Sequence, residues 1–399
     1  MKYNPKKLGY YQAGELETLF KYQAIQQDKK TNSGVKWLFN ESEFAAHDWT
    51  REPTESLNEL YRQRAQQLRD DYNYLVVFYS GGSDSQTMLD TFIDNNIFID
   101  EIVCFHCLKG DKSPYSYFNE EIFKIAVPYL EKVRHTIPNT KINLIDHTDL
   151  NLAFDFAEGW EQQTNVFLVA NVASRVRMRE LLPHYKNLLE RYTAVGFIWG
   201  MDKPHVFLDE AQRFYIQYDD VLDGYSGPYG QARAHQGWYD EMFYQDSAWP
   251  KIISKQAWSV VNPLLSKSVP EEFLSDAKTK YGQCPYSGRY LMVHGAVHFM
   301  YPEFDIDRYI WQYDASLNLS LGTPNSLVIN RKPDSPVFGP RDQWFWRRST
   351  HLPQYMNWLN GINRLYYEYY NEDSDKSWLN SDTMFDGIKG SLGTKWYLT

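Results

Sequence analysis

The sequence predicts an α/β fold with a mostly parallel sheet and helices on both faces, followed by an irregular, partly helical, aromatic-rich C-terminal domain. Three observations carry this expectation. Between residues 71 and 210, short apolar, β-branched runs alternate with longer stretches of helical periodicity. Each run ends in Gly, Ser, Asp or His, residues suited to connecting loops. Past residue 210 the alternation stops, turn signals become frequent, and nine of the thirteen tryptophans fall between Trp238 and Trp396.

Taken in order, residues 1–70 read as a lead-in. Leu16, Leu19 and Phe20 suggest a short helical patch. Residues 55–68 form a stronger helix, with Leu57, Leu60, Tyr61, Ala65 and Leu68 on one face and Pro53 and Thr54 marking its start. The first strand holds Leu75, Val76, Val77 and Phe78. The helix after it buries Met88, Leu89, Phe92 and Ile93. A second strand is expected over 100–108, a second helix over 120–134, and a third strand over 141–145, ending in Asp146-His147-Thr148-Asp149. Residues 165–190 read as helix interrupted at Pro183. Residues 194–199 form a fourth strand, followed by Gly200-Met201-Asp202-Lys203. Residues 71–210 thus make one parallel unit and residues 211–399 a second, with helical patches at 249–261 and 354–370.

Ligands of open parallel sheets sit beyond the carboxyl ends of the strands. That rule gathers residues 80–85, His106, residues 146–149 and residues 200–203 around one crevice. The turn Ser80-Gly81-Gly82-Ser83-Asp84-Ser85 joins strand to helix at its centre. Adjacent glycines let backbone N–H groups approach an anion, three serine hydroxyls add donors, and a helix N-terminus points its unpaired N–H groups at the same place. Asp84 would repel a bare phosphate, so it makes most sense with Mg²⁺ between them. No Walker A pattern occurs in the chain.

These six residues resemble the SGGxDS signature of the PP-loop, or N-type, ATP pyrophosphatases, in the strand–turn–helix setting that signature requires. The resemblance covers the middle third of the chain and implies an adenine-nucleotide α-hydrolase-like fold. It implies ATP and Mg²⁺ at Ser80, Gly81, Gly82, Ser83, Asp84 and Ser85, with Asp84 as the metal ligand. The implied reaction is adenylation of an acceptor oxygen with loss of pyrophosphate, then displacement of AMP by a nitrogen nucleophile. A cation is needed to complete the clamp on the pyrophosphate. Lys203 is best placed by topology, and Gly200 and Asp202 resemble the family's element there. Arg175 is a second candidate. Arg175 and Arg179 share a helix face, whereas Arg177 points elsewhere. Lys251, beside Trp249, is expected to run along the domain surface. His106 joins the nucleotide site by its place at a strand end. Asp84 and Lys203 are thus the expected catalytic pair.

Some PP-loop thiolases carry an iron–sulfur cluster, which raises a sulfurtransferase acting on RNA or a nucleotide as an alternative. Cys104, Cys107 and Cys284 would have to supply it. A cluster is not expected, because Cys104 and Cys107 lie within a strand pattern, where residues three apart face opposite ways. A non-catalytic nucleotide-binding sensor is the third reading. His294 and His298, Asp305 and Asp307, and the glycine-rich stretch 387–395 carry weaker patterns and read as packing, turn and loop.

The formal charge of −10 and pI near 5.5 argue against a broad nucleic-acid-coating surface. Three cysteines suggest no disulfide framework and fit a reducing cytoplasm. The opening MKYNPKKLGYYQAGELE lacks an apolar leader core, and the longest apolar runs are too short to span a bilayer. The expected partners are therefore ATP and an acceptor substrate, with no membrane. The sequence names neither the acceptor nor an oligomeric state.

Overall fold

A computed structural model of the chain describes residues 9–106, 122–148, 178–179, 182–200, 204–209, 211, 213–218, 237–266 and 393–399. At its centre is a five-stranded, all-parallel sheet, so the chain is an α/β protein. The strands are β4 (Tyr74–Phe78), β5 (Glu101–His106), β6 (Lys141–Asp146), β7 (Val195–Trp199) and β10 (Trp238–Met242), in the spatial order β10-β7-β4-β5-β6. The chain starts in the middle at β4 and builds β5 and β6 to one side. It then crosses back to place β7 and β10 on the other. β4 and β7 are therefore hydrogen-bonded neighbours at the point where the strand order reverses.

Both faces of the sheet are covered, which is why β4 and β7 are buried along their whole length. One face carries α3 (Leu57–Asp71), α4 (Ser83–Asp94), a π-helical turn at Ile122–Ala126, and α5 (Val127–Val133). Leu60, Leu68, Leu89, Phe92 and Leu130 pack there on Leu75, Val77, Ile102, Cys104 and Ile198. The opposite face meets two short helices, α6 (Pro183–Lys186) and α7 (Leu188–Arg191), with Tyr185 and Leu188 buried. The expected helix 165–190 falls mostly outside the described residues, and α6 starts at the predicted break, Pro183. α3 begins at Leu57, later than Pro53 and Thr54 suggested. Its N-cap is Ser56, whose hydroxyl accepts from the Glu59 N–H while the Glu59 carboxylate accepts from the Ser56 N–H. A cap of this kind contributes about 0.5–2 kcal/mol.

Each face also buries charge. On the α3 side, the Arg64 guanidinium donates to Glu241 at 3.0 Å and to Asp246 at 3.2 Å, and the Tyr72 hydroxyl donates to Glu241. On the other side, Arg179 pairs with Asp240 and lies 3.9 Å over the Phe197 ring, while Trp199 Nε1 donates to Asp240 at 3.1 Å. At the amino end of the sheet the buried Glu101 carboxylate is enclosed by donors. Tyr74 OH reaches it at 2.9 Å and His184 Nε2 at 2.7 Å, joined by Asn143 and Tyr185.

Residues 9–70 form more than a lead-in. Where helix was expected around Leu16, Leu19 and Phe20, the chain forms a three-stranded antiparallel sheet of β1 (Tyr10–Ala13), β2 (Leu16–Thr18) and β3 (Val35–Leu38), order β2-β1-β3. Its connection is α1 (Lys21–Thr31), and α2 (Glu41–Ala45) follows. Gly14 at φ +58° makes the β1–β2 turn. After β7 come the antiparallel strands β8 (His205–Leu208) and β9 (Phe214–Gln217). They are extended by β11 (Trp396–Tyr397), which pairs with β9. The N-terminal sheet, β9, Leu398 and α8 (Pro250–Leu265) share a second core around Tyr11, Trp37, Phe44, Trp49 and Ile253. α8 reaches both cores, with Ile252 in the first and Ile253 in the second. The parallel sheet takes its fifth strand from beyond the expected boundary at residue 210. The expected helix 354–370 lies outside the described residues, as do most residues expected to form an aromatic-rich domain. No helix among the described residues is long and apolar enough to cross a membrane.

Candidate functional site: the turn after the central strand

β4 ends where Tyr79 N–H donates to the Val103 carbonyl at 2.9 Å, keeping the chain beside β5 for one residue more. Ser80 then leaves the sheet. Gly81 takes φ +84°, a left-handed conformation that a side chain would strain. Gly82 is extended and caps α4, whose first residue is Ser83. The turn is fastened by its own serines. Ser80 N–H donates to Ser85 Oγ at 3.2 Å, Ser85 Oγ donates to the Gly82 carbonyl at 3.0 Å, and Gly82 N–H donates to Ser80 Oγ at 3.3 Å. Ser80 and Ser85, expected as direct phosphate donors, therefore first of all shape the turn. Asp84 lies in the first turn of α4 and is partly exposed. A helix N-terminus of this kind offers N–H groups and the positive end of the helix dipole.

The reversal point lies beside this turn. Gly200 directly follows β7. A Cβ on it would stand 2.9 Å from the Asp84 carbonyl oxygen and 2.9 Å from the Ser85 Cα. Only glycine lets the end of β7 lie against the first turn of α4. The predicted union of residues 80–85 with Gly200 is thus seen in the packing. The outer flank of α4 is held by a polar chain. Tyr79 OH donates to Gln86, Gln86 Nε2 donates to Asp90 at 2.8 Å, and Tyr129 OH donates to Asp90.

His106 ends β5 on the same edge of the sheet, its ring 5.5 Å from that of Phe123. Burial lowers its pKa, with the nearby Asp146 opposing, and its Nδ1 is buried without a hydrogen-bond partner. At the end of β6, Asp146 Oδ1 accepts from Thr148 N–H at 3.0 Å and from Thr148 Oγ1 at 2.6 Å, so this carboxylate closes its own turn.

Other expected residues lie elsewhere. Arg175, Asp202, Lys203, Cys107 and Cys284 fall outside the described residues. Arg179 is committed to the buried Asp240. Lys251 pairs with Glu55 at 2.6 Å on the exposed surface. Cys104 is a core residue whose thiol burial pushes up to about 12. Among the described residues, no group of three or more His, Cys, Asp and Glu gathers as a metal site. A single carboxylate such as that of Asp84 is a donor set compatible with Mg²⁺, an ion that keeps few protein ligands. Tyr244 was missed by sequence reasoning. Its hydroxyl donates to the Asp84 carbonyl at 2.8 Å, and no local pattern signals a contact 160 positions away.

The sequence matches no protein-family model, and no curated protein matches it.

Proposed function

We propose that this chain is a PP-loop ATP pyrophosphatase with an adenine-nucleotide α-hydrolase-like fold. It adenylates an oxygen of a small-molecule or nucleobase acceptor, and a nitrogen nucleophile then displaces AMP. One observation carries the reading. A serine–glycine turn leaves the central strand at the reversal point of a parallel sheet and opens a helix with a carboxylate in its first turn.

The reaction needs an attacking oxygen in line with the α-phosphorus and charge neutralisation on the departing pyrophosphate. The new bond joins the acceptor oxygen to the α-phosphorus. The bond from that phosphorus to the β-bridging oxygen breaks, and pyrophosphate leaves with its electron pair. In the second step nitrogen bonds to the acceptor carbon and the carbon–oxygen bond to AMP breaks. Backbone N–H groups of Gly81 and of the first turn of α4 bind the polyphosphate, and Gly200 keeps the far wall close. Mg²⁺ held through Asp84 would supply positive charge between the phosphate oxygens. Lys203, Asp202, Arg175 and His106 are assigned to the nucleotide on the resemblance and on topology, with Lys203 as the cation facing the leaving group. Cys104, deep in the core with a raised thiol pKa, offers no sulfur nucleophile or exposed cluster ligand. The cysteine usage fits a cytoplasmic protein, and the acidic balance fits a small acceptor over extended nucleic acid.

The test is turnover of ATP labelled in the α- or the γ-phosphate, in the presence of candidate acceptors. AMP and pyrophosphate are expected; ADP and orthophosphate as the products would overturn the mechanism.

A further inference from the structure

The backbone carbonyl of Asp84 is where α4 meets the far half of the sheet. Gly200 lies against it from β7. From beyond β10, the Tyr244 hydroxyl donates to it at 2.8 Å. The Tyr244 side chain is fully buried, edge-on to Tyr61 and Phe243 with ring centroids 5.2 and 5.0 Å away. Its segment is fixed in turn by a buried guanidinium. Arg64 donates to the Met242 carbonyl at 3.0 Å, the Phe243 carbonyl at 3.4 Å, the Glu241 carboxylate at 3.0 Å and the Asp246 carboxylate at 3.2 Å. The same segment is stitched to β7 one residue before Gly200, where Phe243 N–H donates to the Trp199 carbonyl at 2.9 Å.

We propose that Tyr244 is a positioning residue that seats the anion-binding first turn of α4 against the end of β7, an assignment that rests on the phosphate-binding reading above. The N–H groups of a helix's first turn have no partner within the helix. Their aim is therefore the aim of the turn itself. The carbonyl oxygen of Asp84 has two lone pairs, so it accepts the phenol in addition to its place in the helical ladder. A phenol held rigidly by Arg64 through residues 242–246 transmits the position of β10 to the groups that grip the phosphates. Misplacing such groups by an ångström is enough to lose much of their effect. Tyr244 touches neither substrate nor metal in this arrangement. It acts through Asp84.

The experiment compares the full chain with Tyr244→Phe and with Thr140→Val. The second deletes an equally buried hydroxyl, the one donating to the Ile99 carbonyl at the amino end of the sheet. Each protein is titrated calorimetrically with inorganic pyrophosphate plus Mg²⁺ and with MgATP. Amide hydrogen exchange is followed in peptides covering residues 79–90. Tyr244→Phe is expected to bind pyrophosphate about two- to tenfold more weakly, the range for losing one neutral hydrogen bond. Faster exchange should be confined to the first turn of α4. Thr140→Val is expected to bind like wild type despite a similar shift in urea midpoint. Wild-type affinity and exchange in Tyr244→Phe would overturn the assignment while leaving the turn as an anion site. Equal weakening by both substitutions would overturn it too, as general destabilisation. A wild-type protein that binds neither pyrophosphate nor MgATP would remove the phosphate-binding reading itself, and the role of Tyr244 with it.

Discussion

The two ends of the parallel sheet handle polar groups in opposite ways. At the amino end, Glu101 is a fully buried carboxylate whose oxygens are closed off by Tyr74, His184, Tyr185 and Asn143, with Lys141 Nζ 4.0 Å away. Burial, then the adjacent Glu101 charge, raises the pKa of the Tyr74 and Tyr185 hydroxyls and keeps them protonated as donors. At the carboxyl end, the turn of residues 80–85 presents helix N-terminal N–H groups and a partly exposed Asp84. The difference teaches where to look for chemistry in such a sheet. A buried charge whose lone pairs all meet protein donors is part of the frame. A set of donors aimed outward from a glycine turn is suited to a ligand.

Substitutions can break or sharpen this contrast. The largest effect is expected from Glu101→Ala, which strands several buried donors and costs about 3 kcal/mol in urea unfolding. The protein that remains folded should bind MgATP like wild type, and lost binding without lost stability would erase the contrast. Asp84→Asn should do the reverse, lowering pyrophosphate release from ATP by about a hundredfold while leaving the urea midpoint in place. A smaller effect follows from pH. His106, at the carboxyl end, and His47, beside Trp49, both lie below the ordinary value of 6.5, burial being the leading cause. As pH falls past 6.5 the unfolded chain takes up protons that the folded chain still refuses. Their contribution to stability is therefore complete above that value and is lost as pH falls through the lowered folded pKa values. Urea midpoints measured from neutral to mildly acidic pH should decline, and His106→Gln should flatten the decline. Smallest of all, Lys251→Ala removes an exposed ion pair with Glu55. It should move neither the midpoint nor MgATP binding beyond error.

Much of the central sheet was legible because its strands are nearly continuous apolar runs closed by Gly, Asp or His. β4, β5, β6 and β7 fall where that pattern places them. β10 was hidden because Trp238-Tyr239-Asp240-Glu241-Met242 contains two carboxylates. They are tolerated inside the sheet because Arg179 and Trp199 meet Asp240 and Arg64 and Tyr72 meet Glu241, partners whose positions along the chain give no hint of the pairing. The small antiparallel sheet near the N-terminus was misread for another reason. Leu16, Leu19 and Phe20 have helical spacing, yet Leu16 belongs to β2 and pairs with Ala13, while α1 starts only at Lys21. At the site, the turn and Gly200 were readable from local composition. Tyr244 was not, because a tyrosine in an aromatic-rich stretch carries no mark of the carbonyl it will meet.

Asp84 and Tyr244 bond across 160 positions, and Arg64 and Asp246 across 182. During synthesis, which releases the N-terminal part first, the whole signature of residues 80–85 emerges long before the residues that seat it. Contacts of such long range also close slowly. The glycine turn is therefore present early as sequence and late as structure. A fragment ending at residue 210 would keep every letter of the motif while lacking the fifth strand, the carboxylates that hold Arg64, and the phenol on the Asp84 carbonyl.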